Sequence, residues 1–478
     1  MTSVKKYEVV IGLEIHAQLS TKSKMFCSCP VLFGQAPNSN ICPVCSGHPG
    51  TLPSLNSAAV MLAVKTALAL NCKINKNSIF ARKNYFYPDL PKGYQISQYD
   101  QPLAQNGWVE IVLKDGTKKK IGITRVHMEE DAGKNIHAGR ESTVDLNRAG
   151  VPLVEIVSEP DIRSAEEANA YFKKLRSILG YIEVSDCNME EGNLRCDANI
   201  SLRPVGEKKL GVKTEIKNLN SFRFVEKALG YEAERQEELL SGGGKVIQET
   251  MLFDTTSGVT KAMRQKEGAD DYRYFPEPDL NPLILQDAFI NKIKSEMIEL
   301  PDAKHERFIS SYGLSFSDAD VITSDKDVAA YYEELCKLTA EPKLCSNWLQ
   351  TEVLRTLNEN KIEIKDLPIT PKGMAELLTM LKSGAVNHNT AKDIFNEMVR
   401  TRESAKAIVD KKGLSQIQDE SLIEKLVDET LAELSSQVQQ YKEGKTGVMG
   451  FIVGHVMKKS KGRANPAVVN SILKKKIG

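Results

Sequence analysis

The strictest pattern in this chain is the run Leu194–Arg203, where apolar and polar side chains alternate without a slip. Leu194, Cys196, Ala198, Ile200 and Leu202 fall on one side; Arg195, Asp197, Asn199, Ser201 and Arg203 fall on the other. A period of two is a β-strand with one face in a core. A second run sets Val9, Ile11, Leu13 and Ile15 against Val10, Gly12, Glu14 and His16. Trp108–Leu113 and Lys120–His127 flank Lys114-Asp115-Gly116, which predicts a hairpin. Any fold for this chain has to contain a sheet.

Helical patterns interleave with these strands. Ser57–Leu70 is rich in Ala and Leu, and a further helix around Phe224–Leu240 stops at Gly242-Gly243-Gly244. Ser164 and Glu167 have capping-box spacing ahead of the stripe Ala168, Phe172, Leu175 and Leu179. Beyond about Ile298 the strand signals fade, and short amphipathic helices follow one another. The expected fold class is α+β: a mixed-sheet part over residues 1–295, a helical part over 296–403 and a small helical tail over 404–478. A length of 478 residues agrees, being too great for one compact core.

With 41% hydrophobic and 27% charged residues the chain can bury real cores and stay soluble. Lys+Arg 64 against Asp+Glu 63 leaves a net charge of +1, so the overall balance names no partner. No apolar run is long enough for a bilayer and no secretory leader opens the chain, so a cytoplasmic protein is expected. Nine cysteines in a reducing compartment argue against a disulfide framework.

Chemistry gathers on the polar strand faces. Glu14 and His16, two apart, project from one face and can hold a divalent ion or manage a proton. His127-Met128-Glu129-Glu130-Asp131 puts carboxylates at a strand end, with Arg125, His127 and Glu129 on one face and Glu130 on the other. Glu155 interrupts the apolar run Val151–Val157; it is either a metal ligand or half of a buried ion pair with Arg148 or Arg163. Lys213, Glu215 and Lys217 form another polar face, with Asn218 and Asn220 beyond. Beside the Arg195–Arg203 face it offers cations for phosphate oxygens and carboxylates for magnesium, the kit of phosphoryl transfer. Arg195, Asn199, Ser201, Lys213 and Lys217 are the candidates for nucleotide contacts. No Walker loop or GxGxxG fingerprint is present, so any nucleotide site must be assembled on a sheet surface.

Cys27-Ser28-Cys29, twelve residues and then Cys42-Pro43-Val44-Cys45 suit four-thiolate, structural zinc. Arg82-Lys83-Asn84-Tyr85-Phe86-Tyr87-Pro88-Asp89 and Asp270-Asp271-Tyr272-Arg273-Tyr274-Phe275-Pro276-Glu277 interleave bases with aromatics. Both read either as packing loops or as stacking surfaces for single-stranded RNA. From Lys445 to Gly478 there are eight basic residues and no acidic one, among them Lys458, Lys459, Lys461 and Arg463. Such a stretch is an electrostatic footprint for a polyanion.

Taken together, these motifs resemble the B subunits of the aspartyl/glutamyl-tRNA(Asn/Gln) amidotransferases. The likeness is carried by Val10–His16, Arg82–Asp89, His127–Lys134, Glu155–Asp161, Leu194–Asn199, Asp271–Asp279 and Lys461–Pro466, in family order along nearly the whole chain. It implies an N-terminal catalytic cradle, a helical domain and a tail that grips the outer part of tRNA. It also implies ATP-dependent phosphorylation of the side-chain carboxylate of Glu-tRNA(Gln) or Asp-tRNA(Asn), followed by displacement of phosphate by ammonia. A glutaminase, the A subunit, would supply the ammonia, and the small C subunit would complete a heterotrimer. Magnesium is implied near Glu14, His16, Glu129 and Glu155, with Asp197 and Glu215 as further ligands and Lys213 in the catalytic group. Arg82, Tyr85, Tyr87, Tyr272 and Arg273, together with the tail bases, are implied in tRNA binding. Two rival readings stand beside this one: a zinc-braced RNA-binding adaptor without catalysis, and an amide ligase for a small molecule.

Overall fold

A computed structural model describes residues 6–138, 141–217, 219–263, 272–413, 420–460, 464 and 466–478. The chain divides into two compact units, residues 1–300 and 301–478. The first is built on a nine-stranded sheet. In chain order its strands are β1 (Tyr7–Gln18), β2 (Lys73–Ile74), β3 (Ala104–Val112), β4 (Lys118–Glu130) and β5 (Pro152–Ser158). Then come β6 (Leu194–Pro204), β7 (Thr214–Lys217), β8 (Thr250–Asp254) and β9 (Val259–Ala262). In space they run β9-β8-β7-β6-β1-β5-β4-β3-β2. The pair β7 and β8 is parallel and the other pairs antiparallel, so the sheet is mixed.

One face of this sheet is dry. Ile11, Leu13 and Ile15 of β1 and Ala198 and Ile200 of β6 are fully buried, with Cys196 nearly so. They pack with helices α1 (Ser57–Ala69), α2 (Ala165–Tyr181) and α3 (Phe222–Ser241) in one core, to which Ala63, Phe172, Leu175 and Leu229 contribute. Alternation therefore leaves the opposite face to the polar residues of the same strands. The predicted hairpin is β3–β4, with Val112 opposite Lys118. Ser164 caps α2 by accepting from the Glu167 N–H at 3.1 Å, but the reciprocal bond of a capping box is shifted. The Glu167 carboxylate instead accepts from the N–H of Arg163 at 2.7 Å and meets Lys119 at 2.7 Å.

A small sheet of Phe275–Pro276, Ala81–Asn84 and Tyr94–Ser97 lies alongside. Its Ser97 hydroxyl donates to Glu129 at 3.3 Å, tying it to the polar face. The second unit is helical and contains two separate buried clusters. One gathers Phe308, Tyr332, Trp348 and Phe395, the other Ile423, Val427, Ile452, Val456 and Leu473. Among the described residues no helix is long and apolar enough to cross a membrane.

Candidate active site on the polar face of the sheet

Register is what assembles the site. On β1, His16 stands opposite Glu155 of β5, and Glu155 stands opposite His127 of β4. Residues facing each other across a ladder have side chains a few ångströms apart, so three strands deliver an imidazole, a carboxylate and a second imidazole in a row. Glu129 joins from two residues further along β4. His16 Nε2 lies 3.4 Å from both Glu129 Oε1 and Glu155 Oε2. His127 Nε2 lies 3.1 Å from Glu155 Oε2 and 3.8 Å from Glu129 Oε2. Donor atoms of His16, Glu129 and Glu155 all fall within 4.8 Å of one another.

These groups offset one another's charge. Burial pushes the His16 imidazole down, but the Glu155 and Glu129 carboxylates outweigh it and raise its pKa to about 9. His127 is raised by the same carboxylates against its burial. Burial opposes ionisation of Glu155, yet the two histidines hold it well below the usual carboxylate range, and Glu129 is lowered likewise. The result is a buried group of two acids and two bases with a gap where a cation can replace a proton.

A second acidic group adjoins it. Glu14 stands opposite Asp197 of β6 and accepts from the Asn199 amide at 3.0 Å. Burial, with Glu155 and Glu215 nearby, raises the Glu14 carboxyl. Lys217 Nζ bridges Asp197 at 2.9 Å and Glu215 at 3.3 Å, and Glu215 also accepts from Thr250 at 2.9 Å. Arg195, opposite His16, donates to Asp131 at 2.6 Å, and Ser201 sits further along β6, 5% exposed. Lys213 is exposed just before β7, and among the described residues it makes no ion pair with the acids.

A family model for the GatB/GatE catalytic domain matches residues 9–291, and one for the GatB domain matches residues 330–477. The chain belongs to the GatB family. It is 55% identical to the B subunit of the aspartyl/glutamyl-tRNA(Asn/Gln) amidotransferase of Thermodesulfovibrio yellowstonii, covering 98% of both chains. The corresponding B subunit of Persephonella marina is 54% identical over 98% of this chain and 99% of its own. That of Solidesulfovibrio magneticus is 53% identical over 99% of this chain and all of its own. The polar sheet face thus lies within the part matched by the family's catalytic domain.

The second metal-capable group of this GatB-family chain is the cysteine set. Donor sulfurs of Cys27, Cys29, Cys42 and Cys45 fall within 4.8 Å of one another, and Cys45 Sγ lies 4.0 Å from Cys29 Sγ and 3.9 Å from Cys42 Sγ. Tetrahedral zinc with bonds of about 2.3 Å needs sulfurs about 3.8 Å apart, so the residues fit a metal. Beside them lies a fully buried lysine, Lys24. Its Nζ reaches Cys45 Sγ at 3.5 Å and the Leu146 carbonyl at 3.3 Å. A hydrogen bond with Cys27, backbone N–H donation and the Lys24 charge, working against burial, lower the Cys45 thiol to about 4. Gly150, with φ of +84°, passes so close that an added Cβ would sit 3.4 Å from Cys45 Cβ and 3.5 Å from Lys24 Cδ.

Several candidate residues have partners that the sequence alone did not name. Glu155 pairs with neither Arg148 nor Arg163: Arg148 reaches Asp131 at 3.4 Å and Arg163 reaches Glu8 at 3.2 Å. Arg82, expected to meet tRNA, is engaged internally. Its guanidinium grips Glu277 at 2.7 and 2.8 Å and Asp279 at 3.1 Å, over the ring of Tyr94. The stretch Lys445–Gly478 is acid-free in sequence, but some of its bases meet acids from elsewhere in the tail. Three of its helices are α4 (Glu420–Glu433), α5 (Val448–Lys459) and α6 (Pro466–Ile477). Lys459 on α5 meets Glu433 at 2.7 Å and Lys476 on α6 meets Asp428 at 2.6 Å, both partners on α4. Lys458 is exposed, whereas Lys461 and Arg463, like Asn218, Asp270 and Asp271, lie outside the described residues.

The aromatic segments do meet. Tyr85 packs edge-on against Tyr272, which packs edge-on against Tyr274, and Tyr274 stacks on Tyr99 at 4.1 Å. Tyr87 is 60% exposed, and Arg273 is exposed with φ of +39°. His127 stands outside the three-residue metal-capable group but touches both of its carboxylates, and it was not among the site residues expected from the sequence. Its signal was present, since it shares a strand face with Glu129, but only the register of β4 against β5 brings it to Glu155.

Proposed function

We propose that this chain is the kinase and amidating subunit of a tRNA-dependent amidotransferase, converting Glu-tRNA(Gln), Asp-tRNA(Asn) or both into the amidated species. The observation that carries the reading is the convergence of His16, Glu129 and Glu155 from three strands, in a chain that belongs to the GatB family over nearly its whole length.

The chemistry has to overcome one obstacle: a carboxylate resists an amine because its oxygen is a poor leaving group. In the proposed reaction the carboxylate oxygen attacks the γ-phosphorus of ATP, the P–O bond to ADP breaks, and an acyl phosphate forms. Ammonia then attacks the acyl carbon; the C–N bond forms, the C–O bond to phosphate breaks and a proton is released. Magnesium held at His16, Glu129 and Glu155, and in a second place at Glu14, Asp197 and Glu215, would neutralise charge on the phosphate oxygens. Two carboxylates with an imidazole also suit manganese. Lys217, Arg195, Asn199 and Ser201 are proposed to orient the nucleotide phosphates, with Lys213 at the exposed rim of that face. Positioning of this kind, with charge in place beforehand, is most of what phosphoryl transfer requires.

In the same reading the acceptor end of tRNA enters over Tyr85, Tyr87, Tyr272 and Arg273, and Lys458, Lys459, Lys461 and Arg463 hold its outer part. Arg82 serves that surface indirectly, by fixing the Tyr94 and Glu277 segments. Cys27, Cys29, Cys42 and Cys45 hold structural zinc. A glutaminase as the A subunit and a small C subunit complete the enzyme, and its compartment is the cytoplasm. A non-catalytic adaptor would leave two buried carboxylates and two buried histidines without work to do. The deciding experiment assembles the chain with both partners and follows amidation of Glu-tRNA(Gln) and Asp-tRNA(Asn) with ATP and glutamine. Product from at least one is expected; no product from either defeats the reading.

A further inference from the structure

Most guanidiniums around the polar face have a carboxylate. Arg195 and Arg148 share Asp131, Arg163 and Arg203 share Glu8, and Arg82 has Glu277 and Asp279. Arg125 differs. It sits on β4 two residues before His127, on the same face as His127 and Glu129, with Val157 of β5 and Gln105 of β3 opposite it. Among the described residues it forms no ion pair, and its Nε is buried without an acceptor.

Two neighbours share that condition. His127 Nδ1 and Gln98 Nε2 are also buried without a hydrogen-bond partner; the amide nitrogen is a donor, and the imidazole nitrogen is one when both ring nitrogens carry protons. Gln98 is held beside the same strand, because its Oε1 accepts from the Met128 N–H at 3.1 Å. Buried polar groups normally find partners, so these unpartnered atoms, two of them fixed donors, on and beside residues 125–128 point to a ligand that offers acceptors. Arg125 is also near enough to the aromatic patch for its charge to act on Tyr274. Burial and the Glu129 and Glu155 carboxylates raise the Tyr274 phenol, and the Arg125 charge acts on it in the opposite direction. Tyr274 in turn stacks on Tyr99.

We propose that Arg125 is a substrate-binding residue that receives the side-chain carboxylate of the mischarged aminoacyl group. The assignment rests on the functional reading above and says which group does the recognising. A planar anion with two oxygens matches the guanidinium fork. Once the carboxylate has become an amide the charge is gone and the grip weakens, so the same residue favours substrate over product.

The test uses the assembled enzyme with ammonium chloride as nitrogen donor, varying Glu-tRNA(Gln) and ATP separately. Arg125→Gln is expected to raise KM for the mischarged tRNA by about tenfold or more. Inhibition by uncharged tRNA and KM for ATP should stay within about threefold, and the preference for binding Glu-tRNA(Gln) over its Gln-tRNA(Gln) product should shrink. A rise in KM for ATP alone would give the guanidinium to a nucleotide phosphate and overturn the proposal, as would unchanged kinetics for the mischarged tRNA. Should Arg125→Gln melt below the parent, Arg125→Lys decides, since it keeps the charge and loses the fork. It is expected to raise the same KM by about threefold with unchanged melting, and a parental KM would overturn the proposal. Failure of the functional reading looks different, because the parent enzyme itself would then amidate neither mischarged tRNA.

Discussion

The two metal-capable groups of the first unit solve the same electrostatic problem in opposite ways. The cysteine set concentrates up to four negative charges and draws its compensating cation, Lys24, from the core beside it. The acid–histidine set compensates internally, each carboxylate lying between two imidazoles. Four soft sulfurs close a tetrahedron and leave no position for a substrate. Two carboxylates and an imidazole leave positions open and prefer hard cations that keep exchangeable partners. In the proposed reading one group is therefore a brace and the other a workplace, an order that a ranking by ligand count would reverse.

The sharpest way to break that contrast is Glu155→Ala. Amidation should fall by about 10²–10³-fold or more while zinc content, read by elemental analysis, stays at the parent level. Parental turnover would show that the acid–histidine group is not where chemistry happens. Next in size is a pH effect. With its pKa raised to about 9, His16 keeps a proton that a metal ion must displace. Affinity for manganese should therefore climb by up to about tenfold per pH unit between pH 7 and 9 and level off above. A flat profile in a calorimetric titration would remove His16 from the ligand set.

Lys24→Met probes the other side. Loss of the buried cation should speed zinc transfer to a chromophoric chelator by about tenfold, with kcat at full zinc loading little changed; an unaltered release rate would deny Lys24 any part in holding the metal. The smallest effect is expected in the tail, where the same contrast between matched and unmatched charge recurs. Lys458→Ala should lower the slope of log K against log salt for tRNA binding by about 0.9. Lys459→Ala should lower it by less, because Lys459 already lies against Glu433. Equal slopes in the two variants would mean that the intramolecular pair dissolves on binding.

What the sequence made legible is whatever lives on one strand or one short segment. Alternation in Leu194–Arg203 separated the core side from the polar side, although Ser201 of the polar side is buried too, and the Glu14/His16 spacing put both on the polar face. The cysteine spacing announced its cluster. Partnerships between segments were not legible. The register that sets Glu155 against His16 and His127, rather than against Arg148 or Arg163, depends on which strands are neighbours, and alternation within a strand is silent on that. For the same reason Arg82 looked free until Glu277, distant in sequence, closed on it. Even the tail's charge, plain when counted along the chain, is partly matched by α4.

Glu129 and Glu130 of β4 are consecutive, so their side chains leave the strand in opposite directions. Glu129 enters the acid–histidine group. Glu130 meets Lys92 and the Ile96 N–H in a cavity of about 270 Å³ that Cys45, Arg82 and Asp279 also line. A single peptide unit thus separates that cavity from the acid–histidine group, and no shift of the backbone there can be private to either side. Under the proposed function, a change at Lys92, which holds Glu130, would reach Glu129 through one peptide bond.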